Sequence, residues 1–204
     1  MSGLLCIINA NQRIISALLA FVLIYVMFRL VYLLLFIVML LSGCNADTPV
    51  APFCRTKHTA TMNQHDLQLN NAGCLIRFDQ RILLVTHRLT GKLDIPGGMQ
   101  RTDESLACTA HRETFEETGL NVEVLLPVAQ TTNGMLVFSC LADNMLNITH
   151  FPRPVPNFAL VETTTLDLYN LYELDDNHLR FADDLIRLRD GYVLTPVSSP
   201  LQPR

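Results

Sequence analysis

Gly98-Met99-Gln100-Arg101-Thr102-Asp103-Glu104-Ser105-Leu106-Ala107-Cys108-Thr109-Ala110-His111-Arg112-Glu113-Thr114-Phe115-Glu116-Glu117-Thr118-Gly119-Leu120 decides how this chain is read. No proline falls between Thr102 and Gly119, Thr102 or Asp103 can cap the start of a helix, and Gly119 stands where a left-handed C-terminal residue is wanted. On such a helix Glu113, Glu116 and Glu117 are spaced i, i+3 and i+4, which brings three carboxylates to one side of the cylinder. Acidic helix segments usually mark a solvated face. Without a counter-charge, however, this cluster repels itself. A hard divalent cation with oxygen ligands, Mg²⁺ or Mn²⁺, relieves the repulsion and keeps positions open for water and phosphate oxygens.

The spacing carries further. From Gly98 there are five residues to Glu104, seven more to Arg112-Glu113, and then Thr114-Phe115-Glu116-Glu117-Thr118-Gly119-Leu120. This resembles the Nudix box along its whole length: glycine, five residues, glutamate, seven residues, arginine-glutamate, an aliphatic residue, any residue, two glutamates, any residue, glycine and another aliphatic residue. Every charged and glycine position is filled. The one departure is Thr114 at an aliphatic position, on the side of the helix expected to pack.

Neighbouring pieces also look like their Nudix counterparts: Ala72-Gly73-Cys74, the apolar residues 82–85, Arg88, Gly91-Lys92, Ile95-Pro96-Gly97-Gly98 and residues 162–168. The resemblance therefore spans residues 71–190 and implies an α/β fold, an α/β/α sandwich around a mixed sheet. It also implies Mg²⁺-dependent hydrolysis of a diphosphate bond. Carried over position by position, Glu113, Glu116 and Glu117 match the family's metal-binding glutamates, and one of them or a carboxylate on a later loop positions the attacking water. Glu104 matches an auxiliary residue of the metal site, Arg112 the arginine that holds the carboxylates in place, and the Gly98 carbonyl a main-chain metal ligand. Glu162 is an extra candidate carboxylate.

Arg88 and Lys92 precede the box, where a phosphate clamp is useful, although such residues are as often merely solvated. His87 has the chemistry to stack on a base or carry a proton, but a lone histidine at a strand end is usually structural.

Around the box, residues 74–78 and 81–86 read as strands joined by Asp79-Gln80. Leu93-Asp94-Ile95 is a short extended piece broken by Pro96-Gly97-Gly98. Residues 122–128 and 135–141 read as two more strands, and 158–168 as a weaker one. Leu179, Ala182, Leu185, Ile186 and Arg189 predict an amphipathic helix over 178–189, ended by Gly191 and followed by a loose tail, 191–204.

A chain of 204 residues suits one catalytic domain with extensions. The mean hydropathy of +0.27 misdescribes it, because the apolar residues crowd into the first forty positions. A net charge of −4 and a pI near 5.8, with no basic run, argue against a nucleic-acid polymer as partner. Cys6, Cys44, Cys54, Cys74, Cys108 and Cys140 contain no Cys-x-x-Cys pair, which argues against zinc.

From Ile14 to Leu41 the only charge is Arg29, a run long enough for a bilayer core of ~30 Å. It ends in Leu41-Ser42-Gly43-Cys44 before the polar Asn45-Ala46-Asp47-Thr48-Pro49, which resembles the lipobox of bacterial lipoproteins, with Cys44 as the lipidated residue. Met27-Phe28-Arg29 followed by 30–41 has the proportions of a complete signal peptide, so translation is expected to begin at Met27. The alternative is an uncleaved anchor starting near Ile14, with Arg13 on the cytoplasmic side. Both place the catalytic domain outside the inner membrane. Residues 44–70 then form a tether. In that oxidising setting one disulfide among Cys54, Cys74, Cys108 and Cys140 is as plausible as free buried thiols.

The functional expectation is an envelope-anchored hydrolase of a small-molecule diphosphate such as a nucleotide sugar or dinucleotide, its attached groups read by loops 130–134 and 143–156. Its rivals are a non-catalytic Nudix-fold sensing module and a structural lipoprotein with an incidental acidic helix.

Overall fold

The computed structural model describes residues 22–37, 49–57, 69–143 and 150–198. The chain divides into two compact units, one up to Asn45 and one from Ala46 onward. In the first, residues 22–37 form a helix, α1. No helix among the described residues is long and apolar enough to cross a membrane. Both ends of the apolar run expected to act as signal or anchor, and the lipobox 41–44, lie outside the described residues.

The second unit is built on a mixed sheet. Its strands are β1 (Asn71–Phe78), β2 (Arg81–His87), β3 (Leu93–Asp94), β4 (Gly97–Met99), β5 (Val122–Gln130), β6 (Leu136–Ala142), β7 (Arg153–Pro154) and β8 (Thr163–Tyr169). They run in the order β5-β6-β1-β2-β8-β7, with β3 beside β2 and β4 beside β1. β1 and β6 are parallel, and the other strand pairs are antiparallel. Two helices follow, α2 (Leu106–Thr118) and α3 (Asp184–Leu194).

Alternation along the strands explains the layering, because successive side chains point to opposite faces. In β1, Cys74, Ile76 and Phe78 join one core with Leu106 and Ala110 of α2, while Leu75 joins the other with Leu185, Leu188 and Tyr192 of α3. The sheet is thus buried on both faces, and the expected α/β/α sandwich is what forms.

Several local expectations differ from the outcome. The α2 N-cap is Ser105, whose hydroxyl accepts the Cys108 N–H, and not Thr102 or Asp103. Asp103 instead takes a left-handed φ of 63° in the turn before it. At the other end Gly119 has φ 73° and donates to the Phe115 carbonyl, as its position requires. Residues 158–168 divide into a 3₁₀ turn, Asn157–Val161, and β8. The second helix begins six residues later than its periodicity predicts, and Gly191 lies inside it. A Cβ there would meet Ala129 Cβ at 3.2 Å and Val128 Cγ2 at 3.3 Å, so this glycine serves close approach of helix to sheet rather than termination. Within the expected loose tail, residues 191–194 belong to α3 and the Ser198 N–H donates to the Arg77 carbonyl at 2.7 Å, while 199–204 lie outside the described residues.

Part of the expected tether is also fixed. Residues 49–57 lie on the domain as a strap: Thr56 bridges Val124 on the edge strand β5, and Lys57 pairs with Glu123 at 3.2 Å. Cys54 is disulfide-bonded to Cys108 of α2, and a second disulfide joins Cys74 to Cys140 across β1 and β6. The first includes an exposed sulfur residue and the second is wholly buried.

Candidate active site

The loop from β4 to α2 and the last two turns of α2 form one ionic cluster with Arg112 at its centre. The guanidinium has five N–H donors, and all five are used. Nε and Nη2 grip Glu104 in a fork at 2.9 Å each. Nη1 donates to Glu113 at 2.6 Å and to Glu116 at 2.9 Å, and Nη2 also donates to the Met99 carbonyl at 2.8 Å. Burial alone would lower the Arg112 pKa, but the hydrogen bonds to Glu104 and Glu113 override it and the pKa rises. This arginine is locked in its charged form, at the position that the sequence assigns to it.

Glu104 is also tied down by Thr109 Oγ1 at 3.0 Å and by the Arg101 N–H at 3.2 Å. Burial pushes its pKa up, yet these hydrogen bonds, led by Arg112, outweigh burial and lower it. Both oxygens are committed, so Glu104 is a buttress for Arg112. Glu113, Glu116, Glu117 and Glu162 line a single cleft of about 160 Å³, together with Phe158, Ala159 and Val161. Burial raises the pKa of Glu113, with Arg112 working against it. Glu117 is raised well above the usual carboxylate value, by burial first and then by the charges of Asp94, Glu162 and Glu113, against a stabilising hydrogen bond from the Gly97 N–H at 3.0 Å. Glu162, a candidate from sequence, thus shares the cleft with the three helix glutamates and is close enough for its charge to raise the pKa of Glu113 and Glu117.

No three of these carboxylates converge on one point among the described residues. The donor set nevertheless suits a hard divalent ion. Among the described residues Glu113 Oε2 and Glu117 Oε1 lack a hydrogen-bond donor, while the remaining oxygens rest on Arg112, Arg101 and Gly97. Gly98 fits the same purpose, since a Cβ at this position would lie 2.6 Å from the Glu113 carboxyl carbon. The absence of a side chain is what lets the carboxylate lie against the main chain of β4.

The two cations expected to clamp phosphate are engaged elsewhere. Arg88 donates to the Leu160 carbonyl and Lys92 to the Asn177 carbonyl, and neither lines a described cleft. Arg88 therefore holds the turn that presents Glu162. His87 does line a second cleft, of about 190 Å³, beyond Glu117. Its Nδ1 pairs with Thr90 Oγ1 at 3.0 Å, and burial, then Arg180, lowers its pKa.

Asn133, in the loop 130–134 that the sequence singles out, lines that second cleft as well, and so do Asp94, Arg180 and Phe181, which escaped the sequence reading. A polar residue between Leu93 and Ile95 was the one available signal for Asp94. Burial, offset mainly by Arg180, pushes Asp94 up to about 6 from 3.8. The folded state therefore favours the protonated acid. Its contribution to stability is full below pH 3.8 and lost as the pH rises through about 6. Asp94→Asn is accordingly expected to stabilise the domain by roughly 2 kcal/mol at pH 7.5 and by almost nothing near pH 4, as read from urea unfolding at the two pH values.

Thr114, the departure from the box, is fully buried, and its hydroxyl has no partner. Thr114→Val should raise stability by about 1 kcal/mol with turnover unchanged, because it removes an unsatisfied hydroxyl and keeps the shape. Paired urea titrations and initial rates check both halves.

A NUDIX domain family model matches residues 67–177. A MutT-like protein of Streptomyces ambofaciens is 40% identical over 74 residues, which are 34% of this chain and 48% of that protein, so the chain spans about half the length of the curated relative it matches. Among solved structures, an ADP-ribose pyrophosphatase of Streptococcus suis is 21% identical, with 61% of this chain and 89% of that one covered at a TM-score of 0.48. A NUDIX hydrolase of Nitrosomonas europaea is 19% identical, with 64% and 77% covered at 0.47. The family model takes in more than half of the 204 residues, including the whole ionic cluster around Arg112, and the chain belongs to the NUDIX family.

Proposed function

We propose that the chain hydrolyses the diphosphate bond of a nucleoside-diphosphate-linked or related small molecule in a reaction that requires Mg²⁺ or Mn²⁺. The observation that carries this reading is the Arg112 cluster. One buried guanidinium with every donor used holds Glu113 and Glu116 in the cleft that Glu117 and Glu162 also line. Glu113, Glu116, Glu117 and the Gly98 carbonyl are the groups to hold the ion, with Glu104 supporting them through Arg112. When bound, the ion neutralises diphosphate oxygens and lowers the pKa of bound water.

The protein's own residues do the rest. Glu162, fixed by the Arg88 N–H on its carbonyl at 2.8 Å, orients the attacking water and accepts its proton. Phe158, stacked on Phe115 with ring centroids 5.9 Å apart, closes one side of the cleft to solvent. A panel of nucleotide sugars, dinucleotides and nucleoside triphosphates, assayed for monophosphate release over a Mg²⁺ titration, tests the reading. Release on at least one compound that stops with chelator is expected. Inertness across the panel would favour a Nudix-fold ligand-binding lipoprotein instead.

The setting we propose is the cell envelope, with the domain on the outer side of the inner membrane and anchored through lipidated Cys44 or through an uncleaved apolar segment. Support comes from the lipobox-like Leu41-Ser42-Gly43-Cys44 and from two disulfides, which persist in oxidising compartments. Labelled palmitate incorporated by the intact protein and lost in Cys44→Ala is the expected result. Membrane retention without label would identify the uncleaved anchor.

A further inference from the structure

The domain's two disulfides stand in opposite surroundings. Cys74 and Cys140 are fully buried between β1 and β6. Cys54 is exposed on the strap, and its partner Cys108 is half-buried in the first turn of α2. A dissolved thiol therefore meets one bond at the surface and reaches the other only when the core opens. Burial does little to hold the strap, since Val50 is 94% exposed and Phe53 97%. Its backbone meets β5 at Val124, whose N–H donates to the Arg55 carbonyl at 2.8 Å and whose carbonyl accepts the Lys57 N–H at 3.1 Å. The ion pairs beside this contact, Arg55 with Asp143 and Lys57 with Glu123, lie at the surface, where such pairs contribute little. At the other end of the bond, Cys108 stands among the groups that order the start of α2. Its N–H donates to Ser105 Oγ at 3.2 Å, and the hydroxyl of Thr109, the next residue, donates to Glu104 at 3.0 Å.

We propose that the Cys54–Cys108 bond is a redox latch, opened by a dithiol reductant while Cys74–Cys140 stays closed, and that opening it frees the strap from β5 and loosens the first turn of α2. One thiolate of the reductant attacks the exposed Cys54 sulfur, and Cys108 leaves as a thiolate, a charge that the N-terminal end of a helix favours. The second thiolate of the reductant then attacks the reductant sulfur of the mixed disulfide, which releases Cys54. Two electrons and two protons pass from the dithiol to Cys54 and Cys108, and the dithiol ends as a disulfide. With the bond gone, surface ion pairs and the hydrogen bonds at Val124 are too weak to offset the freedom that the strap regains. The same loss removes the brace on the turn that presents Thr109 to Glu104, the residue that grips Arg112. None of this depends on which reaction the domain catalyses.

Full-length protein treated with dithiothreitol under native conditions, then alkylated with iodoacetamide and mapped by mass spectrometry, tests the selectivity. Cys54 and Cys108 should gain label about a hundredfold faster than Cys74 and Cys140, or more. Amide hydrogen exchange reports the consequence. The amides of Lys57, Val124, Cys108 and Thr109 should exchange about tenfold faster or more once the bond is open, while that of Ile76 in β1 stays within about twofold. Cys54→Ser should show the open-state rates without reductant and take no further change from it. Cys108→Ala should reproduce this from the other sulfur, and it carries the comparison if circular dichroism shows that the serine variant does not fold. Label on all four cysteines at one rate, no label on Cys54 and Cys108, exchange at Val124 or Thr109 unmoved by reduction, or a folded Cys54→Ser protein whose amides still respond to reductant would each overturn the proposal.

Discussion

Glu117→Gln lowers kcat on any diphosphate that the protein hydrolyses by about three orders of magnitude, or about 4 kcal/mol of transition-state stabilisation. The same change leaves the fold intact or strengthens it. The amide oxygen can still accept the Gly97 N–H that Glu117 holds at 3.0 Å, so the contact between β4 and α2 survives. Burial makes the ionised acid costly in the metal-free protein, as the direction of its pKa shows, and the neutral amide removes that cost. Activity and stability therefore move in opposite directions, which separates a lost functional charge from a damaged fold. Steady-state rates with saturating Mg²⁺ and a thermal melt without it are the two measurements. Wild-type turnover in the variant would mean that the carboxylate has no part in the chemistry.

Arg112→Met has the opposite signature. It removes five hydrogen bonds at once and leaves Glu104 and Glu113 as neighbouring, largely buried carboxylates without their counter-charge, and Glu116 with only the exposed Arg101 as partner. Breaking a buried ionic network from one side costs about 3–5 kcal/mol, enough to lower the melting temperature by roughly 10 °C in a domain of this size. Arg112→Lys should recover only part of this, because an ammonium brings three donors and no fork with which to hold Glu104. Millimolar Mg²⁺ should restore more stability to Arg112→Met than it adds to the wild type, since the ion then supplies the missing positive charge. A melt of the methionine variant within 2 °C of wild type would show that the network is ornamental.

The box was legible because its information is local. Glu113, Glu116 and Glu117 owe their common face to helical geometry alone, and Gly119 its place to the left-handed turn that ends α2. The sandwich was implied by the resemblance that the box carries, and the apolar runs of β1 and β2 turn out to be strands covered on both sides. Where several residues competed for one local role the reading slipped. Thr102, Asp103 and Ser105 all qualify as caps, and the winner, Ser105, is set by where the loop after β4 lets the helix begin. For α3, Leu179 matched the helical period but bridges Leu93 as an extended residue, which moves the start to Asp184. Of the second cleft only Asn133, in the loop 130–134, was within reach, because Asn71, Asp94 and Arg180 come from separate segments that only the fold brings together with it. Arg88 and Lys92 show the converse: a cation near a motif says nothing about which carbonyl will claim it.

The bond between Cys54 and Cys108 sets the route by which tension enters this domain. A pull on the chain ahead of residue 49 reaches the strap first and is handed through sulfur to α2, the helix that bears the box glutamates, before it can load β1 at the start of the sheet. The segment between the strap and β1 lies within the cross-linked loop and is spared. Cutting that one bond would make β1 the first element to be peeled, so a stretched molecule should fail by different steps in oxidising and reducing buffer.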